Sequence, residues 1–284
     1  MKEVHFFSVS SLTGVRISTF DIRHSIFGVR YSTFDIRRSI FGVRYSTFDI
    51  PINTQHANSQ LKYKIMNVII TGTTGMVGEG VLHECLQHPK VEAVLVVNRK
   101  PCGVVHPKLK EILHADFFDL SAIETQLTGY DACFFCLGVS SVGMSEADYF
   151  KMTHTLTLHF AETVSRQNPN MIFTYVSGSA TDSTEKGRSM WARVKGKTEN
   201  DLMKLPFKRA YMFRPGYMQP TLGLKNTLSY YKYISWLYPA LRAVFPGAAS
   251  TLAELGLAMI HVALYGYDKQ VLEVKDMVEV AKRG

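Results

Sequence analysis

Glycines at 72, 75 and 78 follow the apolar run Val68, Ile69 and Ile70, and behind them Val77, Val81, Leu82, Cys85 and Leu86 recur at helical spacing. The first glycine permits a tight strand-to-helix turn, and the second lets backbone amides approach a diphosphate with no side chain between them. The third lets the helix lie close on the sheet. A helix start also offers unpaired N–H groups and a partial positive charge. The loop Gly72, Thr73, Thr74 and Gly75, with the first helical turn Met76, Val77 and Gly78, is therefore expected to hold the diphosphate of a dinucleotide.

The second apolar run ends at Asn98, Arg99 and Lys100, about twenty residues past the last glycine, where an NAD-selective site of this kind places an acid on the adenosine ribose. The acid is missing. A cation there can neutralise a 2′-phosphate, which makes NADP the expected cofactor over NAD, with Asn98 and Arg99 on the ribose side. The competing account makes Arg99 a solvated charge at a strand end. Asp116, with Phe117 beside it, follows the third run and is placed to accept a hydrogen bond from an adenine amino group.

The elements that must position these residues alternate along the chain. Apolar runs at Val68–Thr71, Val94–Val97, Glu111–His114, Ala132–Leu137, Met171–Ser177 and Ala210–Phe213 read as strands. Helical spacing covers Val77–Gln87, Leu120–Leu127, Ala147–Arg166 and Ser189–Leu205, and Thr251–Tyr265 reads as a long apolar helix. Such alternation predicts an α/β fold, a doubly wound parallel (Rossmann) sheet, with a small C-terminal helical substrate region. Residues 222–245 contain Tyr230, Tyr231, Tyr233, Trp236 and Tyr238, a composition suited to a substrate pocket, a homodimer interface or a membrane surface.

CLGVSSVG after the fourth run, SGSATDS after the fifth and FRPGYMQP after the sixth, in this order behind the glycine turn, resemble the atypical or extended short-chain dehydrogenase/reductase family. That family includes the NAD-dependent epimerase/dehydratase group, and the chain looks most similar to its Tat-interacting-protein-like oxidoreductases. The resemblance covers Met66 to about Met277. It implies NADP(H) or NAD(H) binding and hydride transfer assisted by a serine and a Tyr-x-x-x-Lys helix. It places Leu137 and Gly138 beside the nicotinamide half, Ser177 on the catalytic serine, Lys195 on the lysine, and Pro215 and Gly216 at the turn bordering the carboxamide.

Position 191 departs from the pattern, because the tyrosine expected four residues before Lys195 is Trp191. A phenol beside a cation can exchange a proton with a carbonyl oxygen, whereas an indole N–H only donates a hydrogen bond. Ser177, Ser179, Tyr149 or a water held by Lys195 are the candidate substitutes. Tyr265 and Lys269 form the one Tyr-x-x-x-Lys in the chain, but they follow the last long helix. Three functions remain in view. The leading one is an NADP-dependent oxidoreductase acting on a small, partly apolar carbonyl or alcohol. A cofactor-binding regulatory or scaffold protein is the second, and a sugar epimerase or dehydratase, which needs the same tyrosine, is the weakest.

Residues 14–48 are five seven-residue units, GVRISTF, DIRHSIF, GVRYSTF, DIRRSIF and GVRYSTF, followed by a broken copy that ends at Pro51. Units this short do not make a solenoid, and their apolar positions fit neither a coiled-coil seam nor strand alternation. Residues 1–65 are expected to be a disordered or untranslated extension, with the functional protein starting at Met66. Asp21, Asp35 and Asp49 argue against a transit peptide. The extension holds nine of the 32 basic and four of the 24 acidic residues, so the rest is near +3 and nucleic-acid binding is not expected. No apolar run has the length of a membrane span.

Cys133 and Cys136 sit at an odd separation in an apolar run, which directs their thiols to opposite faces. His83, Glu84 and His88 miss the H-E-x-x-H spacing by one residue. Neither set suggests a metal, and a reduced, cytoplasmic protein is expected.

Overall fold

The computed structural model describes residues 65–227, 231 and 235–283. The repeat units, Tyr230 and Tyr233 lie outside them. The glycine turn sits between β1 (Met66–Thr71) and α1 (Met76–Gln87). The strands β2 (Val91–Asn98), β3 (Leu109–Leu113), β4 (Ala132–Phe135), β5 (Ile172–Val176) and β6 (Arg209–Arg214) follow at the places where apolar runs predict them. With β9 (Val271–Glu273) they form one seven-stranded sheet in the order β3-β2-β1-β4-β5-β6-β9, every neighbouring pair parallel. The order reverses between β1 and β4, and the crevice at the carboxyl ends of strands flanking such a reversal is where this architecture binds ligands.

Period-two alternation divides the core. Val68, Ile70, Val94, Val96, Phe134 and Phe213 face α1, α6 (Leu252–Tyr265) and α7 (Val274–Ala281). Ile69, Leu95, Val97, Phe135, Phe173 and Tyr175 face α3 (Leu156–Gln167) and α4 (Met190–Leu202). On that second face Phe135 packs on Phe160 with ring centres 5.6 Å apart and on Phe173 at 6.0 Å. Cys133 belongs to the second face and Cys136 packs against the first, as their odd spacing requires, and both are free thiols.

Three elements depart from the sequence expectation. Leu120–Leu127 is not a helix but ends in a single 3-10 turn, Glu124–Leu127. The Asp116 and Asp119 carboxylates accept the backbone N–H groups of Phe118 at 2.8 Å and Ser121 at 3.0 Å, so two side-chain turns lead into this stretch. The long helix expected over Ala147–Arg166 is α2 (Glu146–Phe150) and α3 joined by a π-helical turn, Lys151–Thr155. Short strands β7 (Tyr217–Gln219) and β8 (Ala249–Thr251) pair in a separate two-stranded sheet. Between them lies a short helix, α5 (Tyr238–Val244).

Candidate active site

Gly72 has φ +74°, and a Cβ on it would lie 2.7 Å from the backbone of Cys136 and Leu137. At Gly78 a Cβ would meet the Gly72 carbonyl oxygen at 2.2 Å. These two glycines are required by the turn itself. Gly75 differs, because the nearest atom to a Cβ there is the Gly72 oxygen at an ordinary 3.5 Å. Its absent side chain leaves open space before the start of α1, which no side chain caps. Thr74 and Gly75 are exposed, and Met76 and Val77 are half-buried. An uncapped helix start reached through a bare glycine fits a diphosphate.

Thr73 and Asn98 lie buried beneath the turn. Asn98 Nδ2 donates to Thr73 Oγ1 at 2.6 Å and to Glu111 Oε1 at 3.2 Å, while Thr73 N donates to Asn98 Oδ1 at 3.2 Å. Their side chains therefore fix the turn against the ends of β2 and β3. Arg99, the next residue, is exposed. A cavity of about 250 Å³ at the ends of β2, β3 and β4 is lined by Arg99, Asp116, Phe117, Phe118, Leu137 and Gly138, with Met152 and Leu156 from the π turn and the start of α3. One cavity thus gathers residues from four sequence-predicted stretches. Leu137 and Gly138 line the same cavity as Asp116.

The second half of the site follows β5 and β6. Ser177 is buried, and its hydroxyl faces Glu199 Oε1 at 2.5 Å and the Phe213 carbonyl oxygen at 3.1 Å. Glu199 has no exposure and accepts Arg214 Nε at 3.1 Å and Nη2 at 2.5 Å. Arg214 also reaches Glu273 at 3.3 Å. Lys195, one helical turn before Glu199, donates from Nζ to the Ser177 carbonyl oxygen at 2.5 Å. Burial brings the Lys195 ammonium down to a pKa of about 8, with Glu199 acting in the opposite direction.

Trp191 lies half-buried on the first turn of α4, its ring 3.7 Å from where a Gly178 Cβ would sit. Arg193 pins the approach to this helix, donating to the Gly187 carbonyl at 2.7 Å and to both Glu146 oxygens at 2.9 and 2.8 Å. Ser179 is exposed, and its N–H donates to Pro215 O at 3.0 Å. Tyr149 is buried, which raises its pKa, so it is a poor proton donor. Gly216 passes so close to Ala248 that a Cβ would sit 2.3 Å from the Ala248 oxygen, and the following N–H, on Tyr217, donates to that oxygen at 2.9 Å. Pro215 and Gly216 thereby link β6 to the small sheet. Tyr265 is at the opposite end of the main sheet, where Lys90, just before β2, donates to its hydroxyl, and Lys269 pairs with Asp276 at 2.6 Å.

Three residues that the motifs do not single out complete the arrangement. Glu199 was legible as the i+4 neighbour of Lys195, and Arg214 as a charge closing an apolar strand. Glu79 carried no such signal. It is buried on α1, and its carboxylate accepts Lys225 N at 2.8 Å and Asn226 N at 2.7 Å, 146 and 147 residues away.

The model of the NAD dependent epimerase/dehydratase family matches residues 68–190. Over that stretch the chain is similar to that family. The chain is similar to the protein FMP52-1, mitochondrial, of Scheffersomyces stipitis, at 26% identity over 170 residues, 58% of this chain and 74% of that one. It is also similar to FMP52, mitochondrial, of Saccharomyces cerevisiae, at 25% identity over 76% of this chain and 96% of that one. The Bordetella bronchiseptica enzyme WbmF in complex with NAD+ shares the fold at 17% identity, with a TM-score of 0.52 over 77% of this chain and 78% of that one. The fold is of Rossmann type, and an NAD(P) cofactor is consistent with the similarity to that family. The mitochondrial relatives overturn the expected cytoplasmic location. Among the described residues, no helix is long and apolar enough to cross a membrane.

Proposed function

We propose that this chain is an NADP(H)-dependent oxidoreductase acting on a small, partly apolar carbonyl or alcohol, with residues 216–250 forming the substrate side of the site. The observation that carries the reading is the cavity in which Arg99, Asp116, Phe117, Leu137 and Gly138 meet beside the open glycine turn. In this reading Gly72, Thr74, Gly75, Met76, Val77 and Gly78 hold the diphosphate and Arg99 the 2′-phosphate, while Thr73 and Asn98 shape the turn. Pro215 and Gly216 border the nicotinamide.

When bound, the reduced cofactor supplies a hydride to the carbonyl carbon. The proton that the carbonyl oxygen then requires comes from Lys195, directly or through one water, because the ammonium at a pKa of about 8 is a workable acid near neutrality and Trp191 is not. The resulting neutral amine regains its proton from solvent. Trp191 packs beside Gly178 and excludes water. The experiment is calorimetric titration with NADPH and NADH, followed by NADPH oxidation against a panel of aldehydes and ketones. Saturable binding that favours NADPH, a preference lost in Arg99→Ala, together with turnover abolished in Lys195→Met, supports the reading. Absence of binding overturns it.

One observation favours a second reading, a regulatory NADP-binding protein without turnover: the Ser177 hydroxyl is engaged by Glu199 and Phe213 rather than presented to a substrate. NADPH binding with no turnover on any carbonyl would decide for it. The names of the relatives support a mitochondrial location for this chain as well, which fractionation of cells expressing it tests.

A further inference from the structure

Between Asp201 and Glu254 the sequence contains seven Lys or Arg residues and no acid. The same stretch carries the strongest concentration of exposed large apolar side chains among the described residues. Leu222 is 95% exposed, Trp236 74%, Val244 67%, Phe245 58% and Leu237 43%. Helix α5 buries none of its residues. Leu237, Val244 and Phe245 border an apolar groove of about 410 Å³ closed on one side by Tyr217. Leu222 and Ser235 share the wall of a neighbouring cavity, which joins Leu222 to the Trp236 end of the patch.

A patch of this kind needs an occupant, and the charges around it select one. Lys225 and Lys275 are exposed and make no ion pair among the described residues, and the Lys275 stem would lie 3.0 Å from a Cβ at Gly247, two residues beyond Phe245. Arg242 is already neutralised by Glu254 at 2.6 Å. A second copy of the chain would bring the same cations against themselves, since a two-fold interface pairs a patch with itself. An anionic lipid surface would neutralise them, and tryptophan with aliphatic neighbours flanked by lysine is the composition that settles at a bilayer boundary.

We infer that this face docks on an anionic membrane surface, with Trp236, Leu237, Val244 and Phe245 entering the headgroup region and Lys225 and Lys275 facing lipid phosphates. The docking is peripheral. It places the apolar groove beside Tyr217, next to Gly216, against the lipid phase.

The test is flotation of the full chain with vesicles of phosphatidylcholine alone and of phosphatidylcholine mixed with phosphatidylserine. The expected result is flotation with the anionic vesicles, reduced roughly ten-fold or more in the double variant Trp236→Ser, Phe245→Ser, whose buried apolar contribution is lost. The preference for anionic vesicles should disappear in Lys225→Glu, Lys275→Glu. All four side chains are exposed, so the melting temperature and NADPH titration of the variants should match the parent. The inference is overturned if the chain remains unbound with both vesicle types. It is equally overturned if the first double variant floats as well as the parent, since another segment then carries the binding. A dimer in solution that this variant dissociates, without flotation of the parent, would assign the patch to a second copy instead.

Discussion

Ser177 donates its hydroxyl hydrogen to Glu199 Oε1 across 2.5 Å, so the side chain that the family pattern aims at a substrate is anchored to an ion pair with no exposed carboxylate. Glu199 and Arg214 join α4 to the ends of β5, β6 and β9, and Lys195 closes the same group through the Ser177 carbonyl. A buried pair of this sort is costly to break on one side, because the remaining charge is left without a partner.

Replacement of Glu199 by Gln is therefore expected to destabilise the fold by roughly 3–5 kcal/mol, and Arg214→Met by a similar amount. Ser177→Ala, which removes one hydrogen bond to a charged group, should cost roughly 1.5–3 kcal/mol and leave NADPH binding intact. Urea unfolding monitored by circular dichroism measures all three. A ranking with Ser177→Ala as the most destabilising would contradict this account.

Gly75 and Gly78 lie three residues apart and predict opposite phenotypes. Alanine at 78 forces a methyl to 2.2 Å from the Gly72 oxygen, so the turn must shift, at a cost of roughly 1–3 kcal/mol in stability. Alanine at 75 meets nothing closer than 3.5 Å, and its effect on stability should stay within about 1 kcal/mol. Its methyl instead occupies the approach to the helix start, and NADPH affinity should fall roughly ten-fold or more. Thermal denaturation and calorimetric titration of the two variants together check the contrast.

Lys195 gives the proposed reaction its pH dependence. Its ammonium is the acid, so carbonyl reduction should be constant below a pH of about 8 and decline above it, the deprotonated amine having nothing to give. Restoring a phenol with Trp191→Tyr should raise turnover above that of the parent. The lowered pKa also has a stability consequence. Between about 8 and the unfolded value of about 10.5, the unfolded chain holds the proton more firmly, so the contribution of this group to stability rises with pH across that window. Lys195→Met should flatten the stability profile, read by urea midpoints, while initial rates of the parent across pH test the acid. A parent rate profile unchanged above pH 8 would remove Lys195 from the role of acid.

The parallel sheet was legible because β1, β2, β4, β5 and β6 are apolar runs separated by helical periods, a pattern with few alternative solutions. The glycine turn and the Arg99, Asp116 and Leu137 stretches were legible because each directly follows a strand. Elements and contacts set by distant partners were not. Strands β7, β8 and β9 have three residues each, too few to show a period. Over Leu120–Leu127 apolar spacing predicted a helix, but the stretch forms turns that end in one 3-10 turn. Whether Ser177 faces a substrate or Glu199 depends on a carboxylate 22 residues away, about which motif spacing is silent.

Glu79 is the clearest of these long-range contacts, and it supports a prediction of its own. Both carboxylate oxygens accept backbone N–H groups, from Lys225 and Asn226, so the helix proposed to hold the cofactor diphosphate also fastens the start of the proposed substrate region. Carboxylate acceptors make stronger hydrogen bonds than neutral ones, and Glu79→Ala leaves two backbone donors without them. Glu79→Gln keeps one acceptor and sets an amide N–H against the other donor. Trypsin cleavage after Lys225 should therefore be fastest in Glu79→Ala, intermediate in Glu79→Gln and slowest in the parent. Gly72, Gly75 and Arg99 are untouched, so NADPH affinity should change little, while the substrate KM rises as the region loosens. If the alanine variant is cleaved at the parent rate, Glu79 does not hold this segment in solution.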